Sequence, residues 1–239
     1  MFEAVDEMKR KLDTKRPLPA TTLKSLRDHL MLEWTFHSNA IEGNTLTLSE
    51  TKVALEGITV GGKTIKEHLE VINHKKAILL VEEIVRNHEK LSEWQMKNIH
   101  RLILKGIDDE HAGVYRKENV IISGAKHIPP DALNVPIQMQ ELQKWYDTQK
   151  LHPIETASIL HIEFVKIHPF VDGSGRTARL LVNLELMKNG YPPIIIEKEG
   201  RSQYYAVLDK AHITGDNDDF VKLIVNALVN TYQLYFKVL

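Results

Sequence analysis

The stretch "HPFVDGSGRTAR", residues 168–179, sets a histidine, an aspartate, three small residues and two arginines within twelve positions. Each type brings its own chemistry. An imidazole titrates near physiological pH, so His168 could take a proton from an attacking hydroxyl. Asp172 offers a hard oxygen, suited to Mg²⁺ held jointly by the protein and a ligand's phosphates. Gly173 and Gly175 carry no Cβ, so backbone N–H groups there can come close to an anion. A helix is expected from about Gly175, and the free amides at its positive end attract phosphate oxygens. Its first turns carry Arg176 and Arg179, three apart and on neighbouring surface, as multi-donor clamps for phosphate. Together these residues suggest a site for a phosphorylated ligand with a base and a metal ligand built in. The stretch differs from a nucleotide-binding P-loop, because it lacks the G-K-[ST] ending and a preceding strand. The competing reading is structural: a glycine-rich interhelical turn, a histidine at a helix C-terminus and two solvated arginines. Residue chemistry alone leaves both open.

The elements that must position these residues are mainly helical. The segment "TTLKSLRDHLMLEWTFHSNAIEGN" follows a proline-containing entry and runs helically to about Ser38. Thr47 with Glu50, Thr64 with Glu67 and Ser92 with Gln95 are three capping boxes, each just before an apolar periodic run. They predict helices closing at Gly57, near Asn87 and at Gly106. Residues 58–63 ("ITVGGK") are expected as a short hairpin arm or a loop. The region 107–136 is the least regular, with "NVIISG" as one extended strand and "KHIPP" as its return limb. Further helices are expected over Ile137–Gln149, Ile154–Lys166, Gly175–Lys188, Ser202–Ala211 and Asp218 to about Tyr235.

Composition narrows the function classes. The chain has 239 residues, 43% of them hydrophobic, enough for a substantial core in one large domain or two small ones. With 31 Lys and Arg against 32 Asp and Glu, the net charge is -1, which argues against a broad nucleic-acid footprint. No apolar run of ~20 residues is present to span a membrane. The N-terminal "MFEAVDEMKRKLD" is mixed-charge and amphipathic, so no signal peptide is read. The chain has no cysteine, which excludes disulfides, thiolate nucleophiles and thiolate-held metal centres. No repeat or flexible linker is found. A cytoplasmic protein with no membrane and no nucleic-acid partner is the expectation.

The whole pattern resembles the Fic/DOC family. "HPFVDGSGRTAR" is similar to that family's signature, H-[FPx]-[FPx]-[DE]-G-N-G-R-x-x-R, with Ser174 standing where Asn is usual. "GVYRKENVIISG", "HIPP" and "LLVNLELMKNGYPPIIIEKEGRSQYY" also resemble the family core, so the similarity covers roughly Ser25 to Phe220. It is particularly close to metazoan members of the endoplasmic reticulum. The resemblance implies an all-α fold, a helical bundle with a small β-hairpin flap. It implies a single domain over 1–239, made of an N-terminal helical region (1–64), a core (65–220) and a C-terminal helix (221–239). The implied activity is transfer of AMP from ATP to a Ser, Thr or Tyr hydroxyl of a target protein, with pyrophosphate released. His168 matches the general base and Asp172 the Mg²⁺ ligand. Gly173, Ser174, Gly175 and Arg176 match the phosphate cradle, and Arg179 matches the arginine that holds the γ-phosphate. Serine at 174 is shorter than Asn, so its phosphate contact is expected to be lost or replaced by water.

Alone, "HSNAIEGN" (residues 37–44) reads as a helix end with solvated polar groups. Beside the family it resembles the inhibitory motif [ST]-x-x-x-E-[GN], with Ser38 and Glu42 one helical turn apart on one face. The implied pairing is Glu42 with Arg179, which would keep that arginine from ATP. Residues 120–129 resemble the flap that holds the target, through Ile121, Ile122, Ser123 and Gly124; a hairpin without a partner is the alternative. Tyr204, Tyr205 and His212 resemble adenosine-binding positions. The leading expectation is therefore an autoinhibited protein adenylyltransferase using ATP and Mg²⁺, acting on a protein target that could be itself. The family likeness alone suggests a homodimer. A phosphodiesterase that strips AMP from modified proteins and a nucleotide-sensing interaction module with a decayed site are the alternatives.

Overall fold

The computed structural model describes residues 1–122 and 124–239; the flap position Ser123 lies outside the described residues. Among the described residues ten α-helices follow one another: α1 (Glu3–Asp13), α2 (Ala20–Ile41), α3 (Leu48–Leu55), α4 (Ile65–Arg86), α5 (Glu93–Leu104), α6 (Val135–Thr148), α7 (Pro153–Ile167), α8 (Ser174–Lys188), α9 (Arg201–Thr214) and α10 (Asp218–Val238). All three predicted capping boxes form, opening α3, α4 and α5. At α4 the Thr64 N–H donates to Glu67 Oε2 at 2.8 Å and the Glu67 N–H returns to Thr64 Oγ1 at 3.2 Å. Two donors that the helix cannot satisfy itself are thereby paired, which stabilises a helix start by about 1 kcal/mol.

Twelve of the fifteen residues of α8 are buried, so this helix is enclosed on all sides. On one side Leu180, Leu181 and Leu184 join Phe164 of α7, Val81 of α4, Ile99 of α5 and Met139 of α6. On the other, Val182 and Leu186 join Ile162 of α7, Leu208 of α9, Leu228 of α10 and Leu12 of α1. The α7–α8 pair is therefore common to two apolar clusters, and the turn between these helices is held from both sides. That turn is "HPFVDG". No helix among the described residues is long and apolar enough to cross a membrane.

The expected β-hairpin flap does not form. Among the described residues there is no β-strand, and the fold is helical throughout. The described residues that were to be the flap, Ile121, Ile122 and Gly124, form no regular structure; the Ala125 N–H reaches Ile122 O at 3.2 Å. Neighbouring donors are taken elsewhere. The N–H groups of Lys126 and His127 both point to Asp209 Oδ1 of α9, at 2.9 and 3.0 Å, and His127 Nε2 bonds to Lys166 O of α7 at 2.9 Å. Pro129 and Pro130 supply no N–H to a return limb. An isolated two-stranded ladder is marginal in water, and side-chain pins to α9 and α7 take its place. Residues 58–63, left open between arm and loop, form a turn in which the Val60 N–H donates to His68 Nε2 at 2.8 Å.

Candidate functional site

Helix α7 ends because His168 turns into the left-handed region, φ 47 and ψ 62, a conformation that strains any residue bearing a Cβ. Several buried partners hold it there. The His168 N–H donates to Phe164 O at 3.1 Å, and its carbonyl accepts from Arg116 Nε at 2.9 Å. Arg116 is buried and also donates to Glu118 O at 2.9 Å and to Pro130 O, so one guanidinium ties the turn to the rim segment. Five residues on, Gly173 is left-handed too, φ 79, and a Cβ there would stand 3.1–3.2 Å from His100 and Ile103 of α5. His100 accepts the Gly113 N–H on Nδ1 at 2.9 Å, so its Nε2 carries the proton and donates to Asp172 O at 2.8 Å. Its ring lies flat on Phe170, centroids 3.5 Å apart.

Ser174 opens α8 with its hydroxyl turned inward. The Oγ accepts from the Phe170 N–H at 3.2 Å and approaches Phe170 O at 3.3 Å, and the residue is 1% exposed. At this position the side chain braces the turn, and only the backbone N–H is left for an anion. Gly173, the N-cap, makes no side-chain bond to the helix. The first N–H groups of α8 thus have neither an intrahelical nor a capping partner.

His168 is half-buried, and burial pushes its imidazole down to about 4, Glu42 raising it and Arg116 lowering it. It is therefore neutral at pH 7 and able to accept a proton. For Asp172, burial alone would raise the carboxyl, but the Arg176 charge and the Gly173 N–H hold it below the usual range. Its Oδ1 accepts from Gly173 N–H at 2.6 Å and from Arg176 at 2.8 Å. No cluster of three or more metal-ligating side chains occurs among the described residues. A single half-exposed carboxylate fits Mg²⁺, which keeps several waters and takes further ligands from substrate phosphates, better than a metal needing an all-protein cage.

The two arginines have different surroundings. Arg176 is 2% exposed and sits between Asp172 and Glu70 of α4, whose Oε1 is 3.4 Å from its Nη1; its Nε and Nη1 have no hydrogen-bond partner. Arg179 reaches the end of α2. Its Nε donates to Ser38 Oγ at 3.0 Å, and its Nη2 to Ser38 O at 2.8 Å and to Glu42 Oε1 at 2.6 Å. The Ser38 carbonyl is free for this because the Glu42 N–H closes a tighter turn onto Asn39 O. The same Glu42 oxygen lies against the first turn of α8, where a Cβ added at Gly175 would run into it. A protein carboxylate thus occupies the place beside the helix N-terminus and Arg179 that an anion would take.

A cavity of about 710 Å³ brings Glu42, His168, Gly175, Arg179, Tyr204, Tyr205 and His212 together, with Ile122 and Gly124 on its rim. Asp172, Gly173, Ser174, Arg176 and Ser38 are not among its lining residues. Ile121 is 85% exposed and also outside the lining. Of the adenosine positions, Tyr205 is partly open, while Tyr204 is 1% exposed with its hydroxyl between Arg179 Nη1 (3.3 Å) and His161 Nε2 (3.0 Å). His212 bonds Ile162 O through Nε2 at 3.0 Å, and burial pushes it down to about 4. Sequence reasoning misses His100, Glu70, Arg116, His161 and Asp209. They lie far from the signature along the chain, and no spacing relates them to it.

The fold and this site define a helical domain in which the uncapped start of an enclosed helix faces a carboxylate from the end of α2. The family profile of the Fic/DOC family matches residues 90–186. A Fic domain containing signaling protein from Bacteroides thetaiotaomicron superposes with a TM-score of 0.89 at 30% identity, over 98% of this chain and 96% of that one. Fic-1 from C. elegans gives 0.89 at 32%, over 99% and 71%. The protein adenylyltransferase Fic of Drosophila mojavensis is 37% identical over 219 residues, 90% of this chain and 43% of its own length. The chain belongs to the Fic/DOC family. It spans less than half the length of the curated relatives it matches.

Proposed function

We propose that this chain is an autoinhibited protein adenylyltransferase, moving AMP from ATP to a hydroxyl of a protein target. One observation carries the reading: the Glu42 carboxylate, 2.6 Å from Arg179 and against Gly175, fills an anion site in the same cavity as a neutral His168. Neutral His168 takes the proton of the target hydroxyl, whose oxygen attacks the α-phosphorus. The bond from that phosphorus to the bridging oxygen breaks, and pyrophosphate leaves. The free N–H groups of α8 and Arg179 stabilise charge on the phosphate oxygens, and Asp172 is the residue that would hold Mg²⁺. Bound there, the ion would neutralise charge on the phosphates. While Glu42 stays in place, its charge repels the triphosphate and occupies the arginine.

Labelling with ATP radioactive at the α-phosphate, on the chain itself and on a cell lysate, tests the proposal. We expect Glu42→Gly to label at least about tenfold more than wild type, equivalent to ~1.4 kcal/mol. Adding His168→Ala to Glu42→Gly should abolish the label. Equal labelling by wild type and Glu42→Gly would remove the autoinhibition from the proposal, and none from either would remove the transfer.

Glu42 and His168 in one cavity also support a second reading, in which the carboxylate orients a water that releases AMP from a modified protein. Release of AMP from an AMP-modified protein without added ATP, lost on Glu42→Gly, would distinguish it. The sensing module with a decayed site is less well supported, since Ser174 braces the turn and leaves the N–H groups of α8 free.

A further inference from the structure

Tyr204 resembles an adenosine-binding residue, yet its hydroxyl is committed to Arg179 and His161. An arginine has only N–H donors, so the Tyr204 oxygen accepts from Arg179 Nη1, and the same hydroxyl shares a hydrogen bond with His161 Nε2. Burial, and after it the Arg179 charge, hold the His161 pKa well below the usual value, so its ring is neutral. Its ring stacks on Phe220 of α10, centroids 4.7 Å apart, so the pair is anchored in the apolar cluster.

Arg179 has five N–H donors, and four are engaged: two by Ser38, one by Tyr204 and one by Glu42. Three of the four partners' atoms remain when the carboxylate leaves, and all are buried, with Ser38 2%, Tyr204 1% and Arg179 itself 3% exposed. Swinging the guanidinium out would leave a buried carbonyl and two buried hydroxyls with their partners lost. Glu42 is held differently. Its side chain is 30% exposed, it stands at the last turn of α2, and Gly43 follows with φ 99. Side-chain rotation can take its carboxylate away while uncovering only the Nη2 that faces the cavity.

We infer that Tyr204, with His161 behind it, seats the Arg179 guanidinium and fixes its direction whether or not Glu42 is paired with it. Tyr204 and His161 are positioning residues. They aim Nη2 at one place, occupied in turn by the Glu42 carboxylate and by a phosphate oxygen. The identity of the anion as ATP rests on the nucleotidyl-transfer reading; the seat itself rests on the geometry.

The test uses the unlocked Glu42→Gly chain, with Mg²⁺-ATP binding by calorimetry beside KM and kcat for α-phosphate labelling. Adding Tyr204→Phe, which keeps the ring, should weaken ATP binding and raise KM about fivefold, with kcat changed by less than about twofold. Adding His161→Leu should do the same. Adding His161→Gln, whose amide oxygen can accept the Tyr204 proton, should return the affinity to within about twofold of Glu42→Gly alone. An unchanged affinity in Tyr204→Phe, a fall in kcat at constant KM, or a His161→Gln variant as impaired as His161→Leu would overturn the seat. If Glu42→Gly binds ATP but transfers no AMP, the transfer reading falls while the seat is still judged by binding. If Glu42→Gly binds no ATP, both fall.

Discussion

Two stretches border the same cavity and are built in opposite ways. The turn over residues 168–174 is fixed by buried groups: Phe164, His100, Arg116 and the Ser174 hydroxyl each bind its backbone, and a Cβ at Gly173 would be a tight fit in a left-handed conformation. The rim over residues 120–130 hangs on a few pins, chiefly Asp209 and the His127 ring, with Ile121 85% and Ile128 74% exposed. Groups that, on the transfer reading, must meet a phosphorus and a proton at set distances sit on backbone with one conformation. A surface that accepts a separate protein segment can be looser, and few buried contacts place it at the low end of local stability. Arg116 joins the two, donating to His168 O on one side and to Pro130 O on the other.

The sharpest way to break the contrast is Gly173→Ala. The residue would have to hold φ 79 with its Cβ 3.1–3.2 Å from Ile103 and from the His100 ring, which lies flat on Phe170. We expect about 3 kcal/mol of destabilisation, a melting temperature lower by roughly 6–12 °C, and loss of labelling in the Glu42→Gly background. A melting temperature within 1 °C of wild type, at ~2–4 °C per kcal/mol, would show that the turn yields.

Next comes Ser174→Ala. It leaves the buried Phe170 N–H without a partner, which costs about 1–2 kcal/mol and lowers the melting temperature by roughly 3–6 °C. If the hydroxyl contacted phosphate instead, ATP affinity would fall and the melting temperature would hold. Calorimetry beside a thermal melt separates the two.

Much of the turn is legible in the sequence, because its chemistry is local. His168, Asp172, the glycines and the arginines follow one another, and the capping boxes before α3, α4 and α5 are bonds between residues three apart. Glu42 with Arg179 is legible only through family resemblance, since 137 residues separate them. The rim is misread as a hairpin for a related reason. A short β-branched run, Val120 to Ile122, followed by a glycine signals a strand locally, whereas the competing acceptor, Asp209, lies more than 80 residues further on. Ser174 is the instructive intermediate. Its smaller size is visible at once, but the Phe170 backbone it braces is a property of the folded turn.

Acid should destabilise the fold through its buried histidines, beside the rim as well as in the turn. Burial pushes His168 and His100 down to about 4, and His74 and His161 well below their usual value. In that window the unfolded chain binds protons that the folded chain does not, so stability rises with pH. It is fully present above the ordinary histidine value of about 6.5 and is lost as pH falls toward about 4. We expect each of these histidines to cost about 1 kcal/mol, or roughly 2–4 °C of melting temperature, between pH 6.5 and pH 5.5. Labelling by Glu42→Gly should not halve at pH 6.5, because His168 stays neutral to near its folded value. A pH profile with its acid limb at 6.5 would contradict the burial of the base.

Asp209→Ala gives the smallest effect on the whole molecule and the most selective one on the rim. It removes the single oxygen that accepts the Lys126 and His127 N–H groups, both at the surface, where water can replace it. We therefore expect a global loss below about 1 kcal/mol and a melting temperature within roughly 2 °C of wild type. Amide hydrogen exchange should instead accelerate at Lys126 and His127 by tenfold or more, on a scale of ~1.4 kcal/mol per decade, with the amides of α8 unchanged. ATP binding by the Glu42→Gly chain should survive the change, since Asp209 lies at the rim and the anion cradle lies on α8. If exchange also quickens in α8, the rim and the turn form one cooperative unit, and the division of labour drawn between them is wrong.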